Sequence, residues 1–252
     1  MMPGDQSSPF RVINRTGSSR VVLLCDHASN HVPGHYGDLG LGQAELQDHI
    51  AWDPGTLAIG KQLCALLDAP LIQSTISRLV IDCNRMHDAH DLVPQTSEAT
   101  KIPGNAEVDE VERQNRINSY HTPYHAAITS VLDERLSRGR DSVLVALHSF
   151  TPIYHGDPRP WVAGLIHASD ESISRVFFDE LKRDAPDLEI GWNQPYPSRD
   201  GVYFTVDQHM DKRGCKGTIV EIRNDELSHA EGINDWSHRL ARCLSKTLSA
   251  LD

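Results

Sequence analysis

The sequence lacks any long uncharged apolar run. Of its 252 residues, 39% are hydrophobic and 23% are charged, proportions that are typical of globular proteins. A membrane-spanning helix needs about 20 consecutive apolar residues, and no such segment is present. The first 19 residues also lack the basic start and apolar core of a secretory signal. We therefore expect a flexible N-terminal arm, a cytoplasmic location and no membrane partner.

Basic residues are scarce relative to acidic ones. The 24 Lys and Arg residues are outnumbered by 35 Asp and Glu residues, which gives a formal net charge of -11. Binding to the phosphates of a nucleic acid requires a basic surface, so we expect no nucleic-acid partner. A few arginines in a pocket can still bind a small anion. The sequence gives no indication of the oligomeric state.

The five cysteines lack the paired CxxC spacing of zinc knuckles, and their odd number does not suit a disulfide framework. We expect reduced thiols that are mostly packed in the interior: Cys25, Cys64, Cys83, Cys215 and Cys243. Cys25 lies close to His27, which raises the alternative of a cysteine nucleophile. Burial in an apolar strand raises the pKa of a thiol and makes it inert, so we favour packing.

Apolar runs alternate with helical periodicity along the chain. The predicted strands are 21–25, 71–76, 79–82, 143–147, 161–166, 188–191 and 217–222. The predicted helices are 43–67, interrupted at Pro54-Gly55, then 107–138, kinked or split at Pro123, then 172–185 and 230–251. This alternation is typical of a mixed, mostly parallel sheet covered by helices on both faces. We predict a single-domain three-layer α/β/α fold at 20–252, preceded by a flexible arm at 1–19.

Four predicted strands end in polar side chains. These are Asp26 and His27 with Asn30, Asp82 with Asn84 and Arg85, His148 with Ser149, and Glu221 with Arg223. Because the carboxyl ends of parallel strands line one crevice, we expect these groups to converge. Imidazoles for a metal, a carboxylate for proton transfer and guanidinium groups for an anion suit metal-assisted hydrolysis of a carboxylate-bearing substrate. The polar segment 87–105 is predicted to be a long surface loop that borders this site.

Four segments carry a resemblance to a known family. CDHASNHVP, SRLVIDCNR, LHSFTP and VEIRND resemble, in this order, the signature segments of the N-formylglutamate amidohydrolases, from about residue 20 to residue 227. The same segments are more remotely similar to the zinc carboxypeptidases and aspartoacylases. The resemblance implies a zinc-carboxypeptidase-like fold, a Zn²⁺ cofactor and hydrolysis of a small anionic N-acyl amino acid. The reference reaction is the conversion of N-formyl-L-glutamate and water to formate and L-glutamate.

The resemblance also implies a set of metal ligands. It makes His27 and His148 zinc ligands, and it places Asn30 where those enzymes have a glutamate ligand. An amide oxygen brings no charge and binds zinc less strongly than a carboxylate does. Asp26 therefore supplies the third protein ligand, or metal binding is weak, or the metal is absent or different. Asp53, in the AWDPGT turn, is expected to orient a ligand histidine.

Catalytic and substrate-binding roles follow from the same resemblance. Glu221 corresponds to a general base that takes a proton from water and passes it to the leaving amine. Asn84 and Arg85 correspond to a pair that holds a substrate carboxylate or polarises the scissile carbonyl, and arginine can grip a carboxylate through two hydrogen bonds. Further candidates for binding the substrate are Arg78, Arg223 and His209.

Several of these residues also have a purely structural interpretation. Glu221 and Arg223 lie on the same side of a strand, where an ion pair is the alternative. Asp82 is assigned no role, because an ion pair with Arg85 explains it equally well. His121 and His125 have the i, i+4 spacing of zinc ligands, but Pro123 lies between them and no HExxH motif is present. We expect no second metal site there, and we interpret the other histidines as solvated or structural.

The sequence leaves three functions open. The first is an amidohydrolase acting on an N-formyl or similar N-acyl amino acid, and the second is a carboxypeptidase or deacylase for another small amide. The third is a metal-free binding protein that kept the fold and the arginine pocket, a hypothesis that depends on Asn30. Stoichiometric zinc that is lost on His27→Ala or His148→Ala would exclude the third function.

Overall fold

A seven-stranded mixed sheet forms the centre of the molecule, for which a computed structural model describes residues 8–197 and 203–251. The strands are β1 (Phe10–Ile13), β2 (Val21–Cys25), β3 (Leu71–Ser74), β4 (Thr96–Ser97), β5 (Thr100–Lys101), β6 (Val143–Phe150), β7 (Ile153–Tyr154), β8 (Asp157–Pro158), β9 (Ala163–His167), β10 (Ile190–Trp192) and β11 (Lys216–Arg223). β4 with β5 and β7 with β8 form two small separate hairpins.

In the described part of the chain, six α-helices accompany the sheet. They are α1 (Gln43–Gln47), α2 (Thr56–Leu67), α3 (Glu110–Arg116), α4 (Thr122–Ser137), α5 (Ser172–Asp184) and α6 (Ala230–Ala250). Short 3₁₀ helices lie at Gly34–Tyr36, Pro103–Asn105 and Asn224–Leu227, and π-helical turns at Ile117–His121 and Val206–Asp211. Within the described ranges, no helix is long and apolar enough to cross a membrane.

The strand order in the large sheet is β1-β3-β2-β6-β11-β9-β10. β3, β2, β6 and β11 run parallel to one another, whereas β1 is antiparallel to β3 and β9 is antiparallel to β11. β10 runs parallel to β9. The predicted mixed, mostly parallel sheet is confirmed, and the carboxyl ends of four adjacent parallel strands share one edge.

The core lies on both faces of this sheet because successive side chains of a strand point to opposite sides. In β2, Val21 and Leu23 belong to one buried cluster, which also contains Phe177 of α5 and Trp236 of α6. The intervening Val22 belongs to a second cluster, which contains residues of α4. Helices therefore cover both faces, as the predicted α/β/α architecture requires.

Two local predictions are wrong. Residues 10–13, inside the predicted flexible arm, form the edge strand β1, which pairs with β3; residues 1–7 of that arm lie outside the described residues. The apolar run 79–82 is not a strand: its residues are buried in a separate cluster against the 87–105 segment. The amide of Asp82 donates to the carbonyl of Leu92 (2.8 Å). Burial under a loop therefore produced the same apolar pattern as a strand.

The predicted helix 107–138 is divided near Pro123 into two α-helices, but the helical path of the chain continues between them. A π-helical turn at Ile117–His121 joins α3 to α4, and Pro123 occupies the first turn of α4. Proline is tolerated there because first-turn amides have no intrahelical acceptor. As a result His121, in the π turn, and His125, in α4, project toward the same neighbouring segment.

Gly55 shapes the turn that carries Asp53 into α2. Its φ is +84°, and an added Cβ would lie 2.4 Å from Cβ of Leu227. We expect Gly55→Ala to lower the free energy of unfolding by about 2–5 kcal/mol, because backbone strain adds to overpacking. Gly139 has φ +67° with open space around it, so Gly139→Ala should cost only about 1–2 kcal/mol. Chemical denaturation measures both, and equal losses would contradict the steric argument.

Candidate metal and hydrolytic site

Two imidazoles face one carboxylate at the carboxyl edge of the parallel strands. Nδ1 of His27 lies 3.3 Å and Nδ1 of His148 lies 2.9 Å from the same oxygen, Oδ2 of Asp53. All three side chains are buried. In the part of the chain that the structure describes, they are the one group of three or more His, Cys, Asp or Glu side chains whose donor atoms lie within 4.8 Å of one another. The group is a candidate metal site.

The turn that delivers Asp53 is fixed at both ends. Its amide donates to the carbonyl of His27 (3.0 Å), and its carbonyl accepts a hydrogen bond from the hydroxyl of Thr56 (2.7 Å) at the start of α2. The hydroxyl of Ser149, in β6, donates to the carbonyl of Pro54 (3.0 Å). The Asp53 turn is thereby held against the ends of β2 and β6, which carry the two histidines.

The other nitrogen of each imidazole faces a second carboxylate. Nε2 of His27 lies 2.7 Å from Oδ1 of Asp82, and Nε2 of His148 lies 3.3 Å from Oδ2 of Asp26. The Tyr124 hydroxyl donates to Oδ1 of Asp26 (2.6 Å). Histidines that bind metals characteristically direct the remaining ring nitrogen at a carboxylate or carbonyl, which orients the ring. This arrangement leaves Nδ1 of both rings directed at Asp53.

The electrostatics favour positive charge at this place. Burial alone would raise the pKa of Asp53, but the facing imidazoles hold it well below its usual value. Burial alone would lower the pKa of His148, but Asp26 and Asp53 raise it well above its usual value. Buried carboxylates thus stabilise a cation between them, and two imidazole nitrogens with one carboxylate oxygen are donors that suit zinc.

Glu221 lies beside this group on the neighbouring strand. In the parallel pair of β6 and β11, Glu221 is opposite His148. Its side chain is buried, and Oε2 has no hydrogen-bond partner among the residues that the structure describes. Burial raises the pKa of Glu221 to about 7, although the positive charge of His148 opposes this shift. A carboxylate in this state can accept a proton near neutral pH.

A cavity of ≈ 310 Å³ opens in front of these side chains. It is lined by His27, Asp53, His148 and Glu221, by Arg78, Asn84 and Arg85, and by aromatic and polar residues that include Tyr154, Tyr196 and Tyr203. Asp91, Pro94 and residues 96–98 also line it, so the 87–105 segment borders the site. The volume suits a small substrate.

Arg85 and Asn84 reach this cavity from the segment after Asp82. Nε of Arg85 donates to Oδ2 of Asp91 (2.7 Å). Asn84 is buried, and its side-chain Oδ1 accepts a hydrogen bond from the amide of Thr205 (3.1 Å). Both residues are therefore held by parts of the chain that are distant in sequence.

Arg78 binds the carboxylates of the site itself. Its guanidinium group donates to Oδ1 of Asp53 (3.3 Å) and to Oδ2 of Asp82 (2.8 Å). These hydrogen bonds orient the two carboxylates that face His27. Asp82, to which the sequence assigned no role, is therefore part of the site.

Three predicted site residues are not among the described residues that line the cavity. The amide nitrogen of Asn30 donates to the carbonyl of Leu46 (2.9 Å), and Nε of Arg223 donates to Asp225 (2.8 Å). His209 is buried against His125, with 3.0 Å between Nε2 and Nδ1. Asp26 stands behind His148 and faces Nε2. Asp53, which the sequence predicted only to orient a ligand, joins the two histidines in the candidate donor group. Metal binding by Asn30 stays a prediction.

All five cysteines are free thiols, and four of them are buried. Burial raises the pKa of Cys25 far above its usual value, and the same is true of Cys83. The predicted packing in the interior is confirmed for Cys25, which lies in β2, and for Cys83, which lies outside the strands.

Comparison with known proteins identifies the family of this chain. Residues 19–227 match the N-formylglutamate amidohydrolase family. The chain belongs to this family. The match confirms the resemblance of the four sequence segments, and with it the prediction of an amidohydrolase. Among curated proteins, no significant match to the sequence was found.

Two solved structures are similar to this chain over nearly its whole length. A gene product of Agrobacterium tumefaciens is 35% identical with a TM-score of 0.94, over 97% of this chain and 96% of that chain. The N-formylglutamate amidohydrolase from Ralstonia eutropha is 19% identical with a TM-score of 0.68, over 94% of this chain and 96% of that chain. At 19% identity the second comparison shows a shared fold.

Proposed function

We propose that this amidohydrolase cleaves the amide bond of a small N-acyl amino acid, with N-formyl-L-glutamate as the reference substrate, and that it holds zinc through His27, Asp53 and His148. One observation carries the proposal: two imidazole Nδ1 atoms and a carboxylate oxygen converge beside a buried glutamate in a small cavity. Membership of the N-formylglutamate amidohydrolase family supports it.

Bound zinc would supply Lewis acidity toward a carbonyl oxygen and toward water. The protein supplies the rest of the chemistry. Asp82 and Asp26 hold the two imidazoles in the orientation that directs Nδ1 at Asp53. Two imidazoles and one carboxylate leave further coordination positions open, as catalytic zinc sites do.

Glu221 moves protons in this proposal. Its unpartnered Oε2 is buried beside His148 and lines the cavity, where it can accept a proton from the attacking water. The same carboxyl group can then donate that proton to the nitrogen of the leaving amine, because the base of one step is the acid of the next. No second carboxyl group is needed for the two transfers.

Asn84 and Arg85 bind the carboxylate of the substrate in this proposal. The guanidinium group of Arg85 lines the cavity, and its Nε is already oriented by Asp91. Arginine pairs with a carboxylate through parallel hydrogen bonds, which gives direction as well as charge. Arg78, which is engaged by Asp53 and Asp82, is proposed to orient those carboxylates and not the substrate.

Arg85→Ala is expected to raise KM for N-formylglutamate by roughly 10–100-fold with a smaller change in kcat, because it removes a charge-assisted contact made in the ground state and transition state alike. Steady-state kinetics of formate release measure this. The matched control is Arg242→Ala, since Arg242 is an exposed arginine that pairs with Asp184 on the surface. An unchanged KM in Arg85→Ala would contradict the assignment.

The proposed function is tested by elemental analysis of the purified protein together with formate release before chelation, after chelation and after zinc restoration. Near-stoichiometric zinc with chelator-sensitive formate release is the expected result. Bound zinc without formate release from N-formylglutamate would be consistent with a hydrolase whose substrate is another small amide. Absence of zinc after restoration, with no turnover, would favour a metal-free binding protein.

A further inference from the structure

Four imidazoles lie outside the metal and hydrolytic site, next to the segment Cys83–Arg85; three of them are buried, and that of His87 is exposed. They are His87, His121, His125 and His209, and we call them the imidazole network. His121 and His125 come from the π turn and α4, whereas His209 comes from the π-helical turn Val206–Asp211. The sequence assigned no function to His87, His121 or His125.

Two members of the network bind backbone carbonyls directly. Nε2 of His125 lies 2.7 Å from the carbonyl oxygen of Cys83, and Nε2 of His121 lies 3.1 Å from that of Arg85. A carbonyl oxygen can only accept a hydrogen bond, so both Nε2 atoms must carry the proton. In a neutral ring, Nδ1 of each is then an acceptor.

The other two members satisfy those acceptors. Nε2 of His209 lies 3.0 Å from Nδ1 of His125, and Nε2 of His87 lies 3.0 Å from Nδ1 of His121. Burial lowers the pKa of His125 to about 3 and the pKa values of His121 and His209 to about 4. These rings are neutral at pH 7, so His209 and His87 donate and the tautomers are fixed along both chains of hydrogen bonds.

The carbonyl of Asn84, between those of Cys83 and Arg85, also has a hydrogen-bond partner. The carbonyl of Asn84 accepts from the amide of Phe204 (3.3 Å), and Oδ1 of Asn84 accepts from the amide of Thr205 (3.1 Å). The Phe204 ring packs edge-on against His121 and His125, with centroid distances of 4.7 and 4.6 Å. Three consecutive carbonyl groups, from residues 83 to 85, are therefore bound by groups from α4, the preceding π turn and the 203–211 segment.

This arrangement answers a structural need. Residues 83–85 belong to no strand of the sheet, so their backbone carbonyls have no ladder partners. A buried carbonyl without a partner destabilises its conformation. The imidazole network supplies those partners at the two residues that flank Asn84.

We propose that His121 and His125, with tautomers fixed by His87 and His209, are positioning residues for substrate recognition. They hold the Cys83–Arg85 backbone so that Asn84 and Arg85 meet the substrate carboxylate. This inference rests on the proposed substrate-binding role of Asn84 and Arg85. It extends the site to imidazoles that touch neither the metal donors nor the cavity.

The test compares His125→Leu with His125→Gln, and His121→Leu with His121→Gln. The amide nitrogen of Gln can replace the Nε2–H donor, whereas Leu cannot. The readout is the ratio of kcat/KM for N-formyl-L-glutamate to that for its two monoamides, N-formylglutamine and N-formylisoglutamine. Each monoamide lacks one of the two carboxylates. Arg85 recognises the carboxylate whose replacement by an amide lowers kcat/KM in the wild type but not in Arg85→Ala.

The Leu variants are expected to reduce this acid-to-amide ratio by roughly 10–100-fold through KM, because a small displacement of a binding group has a large kinetic effect. The Gln variants should stay within about 3-fold of the wild type, since the hydrogen bond to the carbonyl is retained. In an Arg85→Ala background the Leu substitutions should have no further effect on the ratio. Thermal unfolding of each variant separates loss of fold from loss of selectivity.

An unchanged acid-to-amide ratio in folded Leu variants would overturn the proposal, even if their stability falls. Imidazole ¹⁵N spectra of the wild type should show Nε2 protonated and Nδ1 unprotonated in His121 and His125; the opposite tautomer would overturn it as well. If the wild type does not hydrolyse N-formylglutamate, the reference substrate of the proposed function is wrong and the kinetic ratio cannot be measured. The Kd ratio of L-glutamate to its two monoamides by calorimetry then decides the positioning role, and absence of carboxylate binding would refute it.

Discussion

Glu221→Gln is expected to reduce kcat for amide hydrolysis by roughly 10²–10⁴-fold, the usual contribution of a general acid-base group. Gln keeps the shape of the side chain but cannot accept the proton of the attacking water. Zinc content and KM should change little, because Glu221 is not among the three donors His27, Asp53 and His148. Formate release and elemental analysis measure the two quantities on the same preparation.

The control for this variant is Glu231→Gln, an exposed residue in the first turn of α6. It makes the same chemical change and should leave kcat unaltered. Undiminished turnover in Glu221→Gln would refute the general base. Loss of zinc in parallel with turnover would instead indicate that the carboxylate supports metal binding.

Asp53→Ala is expected to lower zinc affinity by more than about 100-fold and to abolish turnover, because removal of a direct ligand should exceed the 10–100-fold effect of removing an outer-shell partner. Asp82→Asn, which changes the group that faces Nε2 of His27, should lower the affinity by roughly 10–100-fold. Asn30→Ala should keep its zinc, since the Asn30 amide donates to the carbonyl of Leu46. Competition with a chelator of known affinity ranks the three variants.

The opposite ranking would restore the hypothesis drawn from the sequence. If Asn30→Ala loses zinc while Asp53→Ala retains it, then Asn30 is a ligand and Asp53 orients a histidine. Circular dichroism of the zinc-free forms checks that a low metal content does not come from unfolding.

The strand positions of His27 and His148 were predictable because the evidence for them is local. Each histidine lies in or just after a continuous apolar run, and such runs mark buried parallel strands. The structure confirms β2 and β6 at these places. The opposed pair Glu221 and His148 then follows from the parallel register of β6 and β11.

The place of Asp53 between the two histidines could not be predicted in the same way. Its turn looks like an ordinary helix interruption in the sequence, at Pro54-Gly55. Only the fold shows that the amide of Asp53 donates to the carbonyl of His27 (3.0 Å), which brings its carboxylate between two strand ends. Without knowledge of that contact, an Asp-Pro-Gly turn next to a tryptophan is only a weak indication of a metal-binding carboxylate.

For the run 79–82, by contrast, the sequence predicted a strand that the structure does not contain. Its apolar residues and the following Asp82 indicated a strand end, yet the segment packs under the 87–105 loop. Apolar periodicity reports burial and not the partner that buries a residue. The segment still delivers Asn84 and Arg85 to the cavity, because hydrogen bonds from His121 and His125 replace a sheet.

The sequence by itself determined the family, the α/β architecture and the placement of His27, His148 and Glu221 in or just after strands, because strand and helix periodicity and short ordered motifs are properties of neighbouring residues. The tertiary structure alone decided that Asp53 faces both histidines and that His125 meets His209 across 84 positions. Those contacts depend on how segments that are distant in sequence pack against one another. Local sequence patterns are compatible with several such packings and do not distinguish between them.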